Sequence, residues 1–355
     1  MVKGKLTGVS LFASCGIAET YLWDIGINIL LSNEIIERRA ELYRKIYPET
    51  KVIPGDICDK DIFDEINEFV SDKEIDFLLA TPPCQGVSLV GKNKSNEEML
   101  KDKRNFLIFK VVEFIDIHQP NYILIENVPR FLKLLLPYKN RFSKVLEILD
   151  EEFSEKYVID AKVLNAKDYG VPQSRPRAII KMYKKGLSWP WPQKQKEITL
   201  REAIGHLPSL EAGEKSEIKW HNAKWHNERE VLAMRHTPEG KSALKNKKYY
   251  PKKVDGSRVR GFHNTYKRLV WDLPCHARTK NSGNIGSHNN VHPGRKLKNG
   301  TYSDARVLTP YELMLLNSIP NNWNIPEDTS EILIRRCIGE SVPPLLIKKI
   351  CEGII

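Results

Sequence analysis

Five short apolar runs punctuate the first 125 residues: Gly8 to Phe12, Ile27 to Leu31, Lys51 to Ile53, Phe77 to Ala80 and Tyr122 to Ile125. Turn residues or charges bound each run, and helical spacing fills the gaps between them. Ile36, Ala40, Tyr43 and Tyr47 recur at three or four residues within Ile35 to Tyr47, and Val111, Val112, Phe114 and Ile115 do so within Phe106 to His118. Strand, crossover helix and strand in repetition leave little choice of architecture. They predict an α/β fold with a doubly wound, mostly parallel sheet, whose ligand crevice lies at the carboxyl ends of the strands.

Ala178 to Met182 reads as one further strand, and Ser188-Trp189-Pro190-Trp191-Pro192 cannot continue a helix. The expected division is a catalytic and cofactor-binding part over 1–185, a smaller irregular recognition domain over 186–304, and helices over 305–355 that return to the first part. Two of those helices are expected at Thr309 to Ile319 and Val342 to Ile350. No stretch approaches the ~18 consecutive apolar residues of a membrane span. The start MVKGKLTGVSLF lacks a signal peptide's apolar core, so a cytoplasmic protein without membrane partners is expected. Six scattered cysteines without a CxxC pair argue against disulfides and zinc ribbons.

Charge is informative by location. The chain carries +11, and Lys219 to Gly300 alone holds 19 Lys and Arg against 5 Asp and Glu. Seven of the nine histidines and several aromatic residues share that segment. A solvated lysine-rich surface is the plain alternative, but a basic region interleaved with aromatics, Gly and Asn suits a nucleic-acid backbone. Lys252, Lys253, Arg258, Arg260 and Arg278 are the candidate DNA contacts. His288 and His292 have ligand-like spacing, yet no Cys pair completes a tetrahedral site, so no metal is expected.

Three clusters carry chemistry. Thr81-Pro82-Pro83-Cys84-Gln85-Gly86 follows the fourth strand, where prolines fix the direction of a thiol facing the crevice. Glu126-Asn127-Val128-Pro129 ends the fifth strand, and partial burial there would make Glu126 a proton donor. Gln173, Arg175 and Arg177 alternate, which puts them on one face of an extended segment. Taken singly these are a buried thiol, a helix-initiating carboxylate and a salt-bridge ladder. Gathered at one sheet edge they read as an anionic site for covalent catalysis.

The order Phe12…Gly16, Asn33-Glu34, Gly55-Asp56-Ile57, Pro83-Cys84-Gln85, Glu126-Asn127-Val128, Gln173-x-Arg175-x-Arg177 and Ile338-Gly339-x-Ser341-Val342-Pro343 resembles the cytosine-5 DNA methyltransferase family of bacteria and phages. The resemblance runs from Val9 to Ile350 and leaves about Lys184 to Tyr302 variable, where that family keeps its target-recognition domain. It implies an S-adenosylmethionine site. Phe12 would lie against the adenine, Gly16 would allow close backbone approach, and Glu34 with neighbouring Ile35 would hold the ribose. Asp56 and Ile57 would take the adenine edge, Pro82 and Leu107 the methionine side, and Ser341 and Val342 would close the pocket.

It further implies that Cys84 adds to C6 of a cytosine flipped out of double-stranded DNA, with Glu126 at N3 and Arg177 at O2. Arg175 and Gln173 would shape that wall, and Asn127 would position the Cys84 loop. The expected role is modification in a restriction system, alongside an endonuclease that acts on the same site without a stable complex. The alternatives are a tRNA cytosine-5 methyltransferase and a catalytically weak DNA-binding regulator on the same fold. Four positions depart from the family pattern: Ser10 stands for Asp, Ser14 and Ile17 for Gly, and Glu340 for Asn. Ala277-Arg278 also replaces the usual Thr and aliphatic residue.

Overall fold

The computed structural model describes residues 6–83 and 103–354. Seven strands form one sheet in the order β3-β2-β1-β4-β5-β10-β8. These are β1 (Leu6–Leu11), β2 (Ile27–Glu34), β3 (Lys51–Pro54), β4 (Phe77–Ala80), β5 (Tyr122–Asn127), β8 (Tyr157–Asn165) and β10 (Pro176–Lys184). Strands β1 to β5 run parallel, while β10 runs antiparallel to both of its neighbours, β5 and β8. The expected strands are all present. The sheet gains β8, and a separate hairpin is formed by β6 (Leu135–Tyr138) and β7 (Arg141–Lys144).

The central strands are apolar throughout because helices cover both faces. Leu78 and Ala80 face one core with Val9, Leu11, Ile123 and Ile125, under α2 (Lys60–Val70), α3 (Ile108–His118) and α4 (Val145–Phe153). Phe77 and Leu79 face the other with Ile27, Ile29 and Leu124, closed by α9 (Pro344–Cys351). Helix α1 (Glu37–Ile46) follows β2 directly. The Trp-Pro stretch is no loose linker: Trp189 is buried, its indole N–H donates to the Ile350 carbonyl at 2.8 Å, and its own carbonyl accepts from buried Lys181.

Between Lys184 and Thr309 regular structure is sparse, with α5 (Leu200–Ile204), α6 (Glu228–Arg235) and the two-residue strand β11 (Cys275–His276). Strand β11 pairs in parallel with β9 (Gln173–Ser174), which joins this segment to the strand entering the sheet. A further core assembles Leu200, Leu269 and Trp271 with Leu313 of α7 (Pro310–Leu316), Ile338 of α8 (Glu331–Glu340), and Cys15 and Ile17 of the first turn. Helix α7 starts on a capping box in which Thr309 and Glu312 each take the other's backbone N–H, and the same Glu312 makes a two-armed ion pair with Arg306, 2.8 Å on each arm. Among the described residues no helix is long and apolar enough to cross a membrane.

Candidate active site and cofactor cleft

The strand order reverses at β1, which has β2 on one side and β4 on the other, so the loops after β1, β2, β4 and β5 converge on one crevice. The first is a tight turn. Phe12, Ser14 and Gly16 all adopt positive φ (62°, 51° and 79°), a region that costs a non-glycine residue about 1–3 kcal/mol. The carboxylate of Glu34 offsets that cost: Oε2 accepts the Ser14 N–H at 2.9 Å and Oε1 accepts the Ile36 N–H at 2.9 Å. Gly16 is required for space as well as for φ, since a Cβ there would lie 2.3 Å from the Tyr47 ring. Tyr47 donates to the Gly16 carbonyl at 2.7 Å.

Glu34 is only 5 % exposed, and burial pushes its carboxyl up against the opposing pull of the two N–H donors and Arg39. Each oxygen accepts one backbone N–H and retains a lone pair, the requirement for a buried diol partner. Beside it Ile35 is 61 % exposed, an apolar surface with no cover. Phe12 is half-buried, and Asp56 is exposed with Oδ1 taking the Cys58 N–H. This set fits a ribose carrying a flat base. The side chains of Ile57 and Val342 are core residues, 2 % and 3 % exposed. Pro82 is buried, Leu107 packs partly against the core, and the Ser341 hydroxyl is held between the Ile338 carbonyl and Asn317.

On the other side of the crevice, β10 meets β5 in antiparallel register, with Ala178 opposite Asn127 and Ile179 opposite Glu126. That register delivers Arg177 to Glu126, Nε to Oε1 at 2.6 Å, with both side chains largely buried. Burial drives the Glu126 carboxyl up, and Arg177 and Arg175 pull it back, leaving it above the ordinary carboxylic-acid range. Asn127 donates to the Pro82 carbonyl at 3.1 Å, and Thr81 donates through its hydroxyl to the Phe12 carbonyl at 3.0 Å. The segment that leads into Cys84 is thereby fixed from β5 on one side and from the first turn on the other. Cys84 itself lies outside the described residues.

Three side chains part from the sequence expectation. Gln173 and Arg175 do share a face, and both are buried side chains that bolt the structure together. Arg175 donates to the carbonyls of Arg278 (2.9 Å) and Gly339 (3.0 Å), and Gln173 spans Leu316, Asn317 and the Arg278 N–H. Their dipoles complete a junction between β9, the end of the basic segment and α8. Arg278 is the second correction: it is 3 % exposed and its guanidinium holds the carbonyls of His276 and Asn289, so it is an internal strut rather than a phosphate contact. Arg258 is exposed. Its head group donates to the Leu244 and Asn246 carbonyls and lies 3.6 Å from the Tyr250 ring, which pegs a turn that presents Lys252, Lys253 and Arg260 on the surface.

Two of the departures find partners that sequence spacing does not reveal. The Ser10 hydroxyl donates to Glu19, a carboxyl nine residues later and 4 % exposed, so a carboxyl does stand under the first turn. The hint was an acid inside the apolar run Ile17-Ala18-Glu19. Burial pushes Glu19 up to about 7. Because the folded pKa lies above the unfolded value, this group's stabilisation is complete below about pH 4.5 and is lost as pH rises to about 7. Replacing Glu19 with Gln is therefore expected to leave stability unchanged at pH 4.5 and to raise it by up to about 3 kcal/mol above pH 7, as read by denaturant melts across pH. The charge of Glu340 is likewise answered, by Arg39 of α1 and by Lys280 at 3.9 Å.

A family model described as C-5 cytosine-specific DNA methylase matches residues 6–355. The Type II methyltransferase M1.HgaI of Avibacterium volantium is 48 % identical over 353 residues, covering 99 % of each chain. The Type II methyltransferase M1.HphI of Haemophilus parahaemolyticus is 29 % identical over 354 residues, covering 99 % of this chain and 87 % of that one. Among solved structures, an E. coli prophage-encoded protein described as a DNA modification methyltransferase superposes with a TM-score of 0.70 at 20 % identity, over 98 % of both chains. Spodoptera frugiperda DNMT2 superposes at 0.63 and 16 %, over 99 % of both. At those identities the two structures establish the shared fold.

Proposed function

Because the chain belongs to the C-5 cytosine-specific DNA methylase family, we propose that it methylates C5 of a cytosine flipped out of double-stranded DNA at a specific sequence, as the modification enzyme of a restriction system. The observation that carries this reading is the Glu126–Arg177 pair at the end of β5, one residue from the Asn127 side chain that holds the Pro82 carbonyl.

In this reading a cytosine ring is a weak nucleophile at C5 until its C5–C6 double bond is opened. The Cys84 thiolate forms a bond to C6, the electron pair of that double bond moves onto C5, and the proton held by Glu126 meets the charge developing at N3. Arg177 donates to O2 and, while Glu126 is ionised, holds its carboxylate in place. Asn127 acts through Pro82 and so sets where the thiol is presented. Glu34, Ile35, Phe12 and the Gly16 turn would hold S-adenosylmethionine, with Asp56, Leu107, Pro82 and Ser341 around them. When bound it supplies the methyl group as a sulfonium electrophile. Loss of the C5 proton to a base, departure of the Cys84 sulfur as thiolate and return of the N3 proton to Glu126 restore the aromatic ring and the starting groups.

A duplex cytosine is out of reach while stacked, so the basic segment must grip the backbone during extrusion. Reversing Lys252, Lys253 and Arg260 to Glu is expected to weaken duplex binding and to flatten its salt dependence, while binding of the cofactor product is unchanged. Equal affinity of variant and wild type at low and high salt would remove this surface from the interface. Incubation with radiolabelled S-adenosylmethionine and either plasmid DNA or bulk tRNA is expected to label the DNA; label in tRNA alone would overturn the proposal. Bisulfite sequencing of an expressing host against an empty host then identifies the site.

A further inference from the structure

Arg39 sits on the first turn of α1, five residues after Glu34, and two carboxylates act on it: Glu340, which it touches, and Glu34. Its own N–H donates to the Ile36 carbonyl, and the Ile36 N–H donates to Glu34, so the three residues form one local unit. Glu340 arrives from the far end of the chain as the last residue of α8. Its position is fixed from below: Gly339 donates no side chain, accepts Arg175 at its carbonyl, and packs so tightly that a Cβ would fall 2.3 Å from the Thr279 carbonyl carbon. The Arg39 and Glu340 side chains are 13 % and 26 % exposed, so their attraction is only partly screened. Lys280 touches the other oxygen of Glu340 at 3.9 Å, which leaves the Arg39 guanidinium the closer of its two cations.

Resting on the reading of Glu34 as the ribose carboxylate, we infer that Glu340 is a positioning residue that holds the Arg39 guanidinium away from Glu34, keeping the Glu34 carboxylate free for the two ribose hydroxyls. A neutral side chain at position 340 would leave Glu34 as the carboxylate nearest to Arg39. A guanidinium is a stronger partner for a buried carboxylate than a pair of neutral hydroxyls, so Arg39 would move onto Glu34 and compete with the ribose. The charge at position 340, where the family pattern has a neutral amide, thus matches the presence of Arg39 in α1.

The competition gives a suppressor test in which a second substitution restores what the first removes. S-adenosylhomocysteine binding is measured by titration calorimetry on the whole protein. Glu340→Met is expected to raise the Kd by about tenfold, the scale of one charged hydrogen bond lost to competition. Arg39→Met alone stays within about threefold of wild type, and Arg39→Met combined with Glu340→Met returns to that range. KM for the cofactor should follow the same order while kcat moves little. A second neutral variant, Glu340→Gln, shifts in the same direction if the Met variant folds poorly. A double variant that binds as weakly as Glu340→Met, or more weakly, would overturn the inference by showing an ordinary structural ion pair. Wild-type affinity in Glu340→Met would overturn it as well. Failure of the ribose reading is distinguished by Glu34→Ala, which in that case would bind as tightly as wild type.

Discussion

Cys84→Ser is expected to lose turnover by on the order of 10⁴-fold or more while still binding the same duplex, because a serine hydroxyl near neutral pH is a far poorer nucleophile than a thiolate. The prediction is specific to this cysteine. Cys15, Cys275, Cys337 and Cys351 are buried, and burial pushes the thiols of Cys15, Cys275 and Cys351 upward; Cys337 is tied to Cys15 in the core beneath the first turn. Cys58 is exposed, but it belongs to the loop after β3, where partial burial and then the neighbouring Asp56 carboxylate raise its thiol. Single replacement of any of these five should leave the chemistry intact. Single-turnover kinetics and duplex binding on the same preparations separate the lost step from a lost substrate.

The second large effect is expected at Glu126. Glu126→Gln keeps the size and the contact with Arg177 but carries no transferable proton, so kcat should fall by about 10²–10⁴-fold with a smaller change in KM for DNA. Burial raises the Glu126 carboxyl. A group that must be protonated and titrates above the ordinary range keeps its proton at low pH and loses it as pH rises through that displaced value. The wild-type rate should therefore decline toward alkaline pH, and the Gln variant should lack that limb. A Gln variant with an unchanged pH profile would move the proton donor elsewhere.

Much of the sheet was legible because its central strands are buried on both faces and read as uninterrupted apolar runs, as Phe77 to Ala80 does. Strand β8 was not, since it lies at the edge and carries half-buried Asp160 and exposed Lys162 within its run. Helix α8 was hidden for a related reason: buried Arg335, which holds the Leu308 carbonyl, breaks the apolar period. Glu34, Glu126 and Asn127 were readable at the site because strand ends are marked by the runs they close. The turn of Gln173 and Arg175 toward Gly339 and Arg278 was not, as the strand is broken between β9 and β10 and the partners come from more than a hundred residues away. Composition likewise counted Arg278 with the surface cations, and only the fold shows that its guanidinium is buried and spent on carbonyls. The answers to Ser10 and Glu340, namely Glu19 and Arg39, lie at separations that no period relates.

The covalent step can be trapped. In a duplex whose target cytosine bears fluorine at C5, the thiol can add and the ring can be methylated, but no C5 proton remains to be removed, so the adduct persists. The measurement is a denaturing gel of wild-type protein with this duplex and S-adenosylmethionine, followed by peptide mapping of the shifted band. The expected result is a band that requires the cofactor, maps to the peptide containing Cys84, and disappears in Cys84→Ser. A band that survives Cys84→Ser, or that maps to another cysteine, would contradict it.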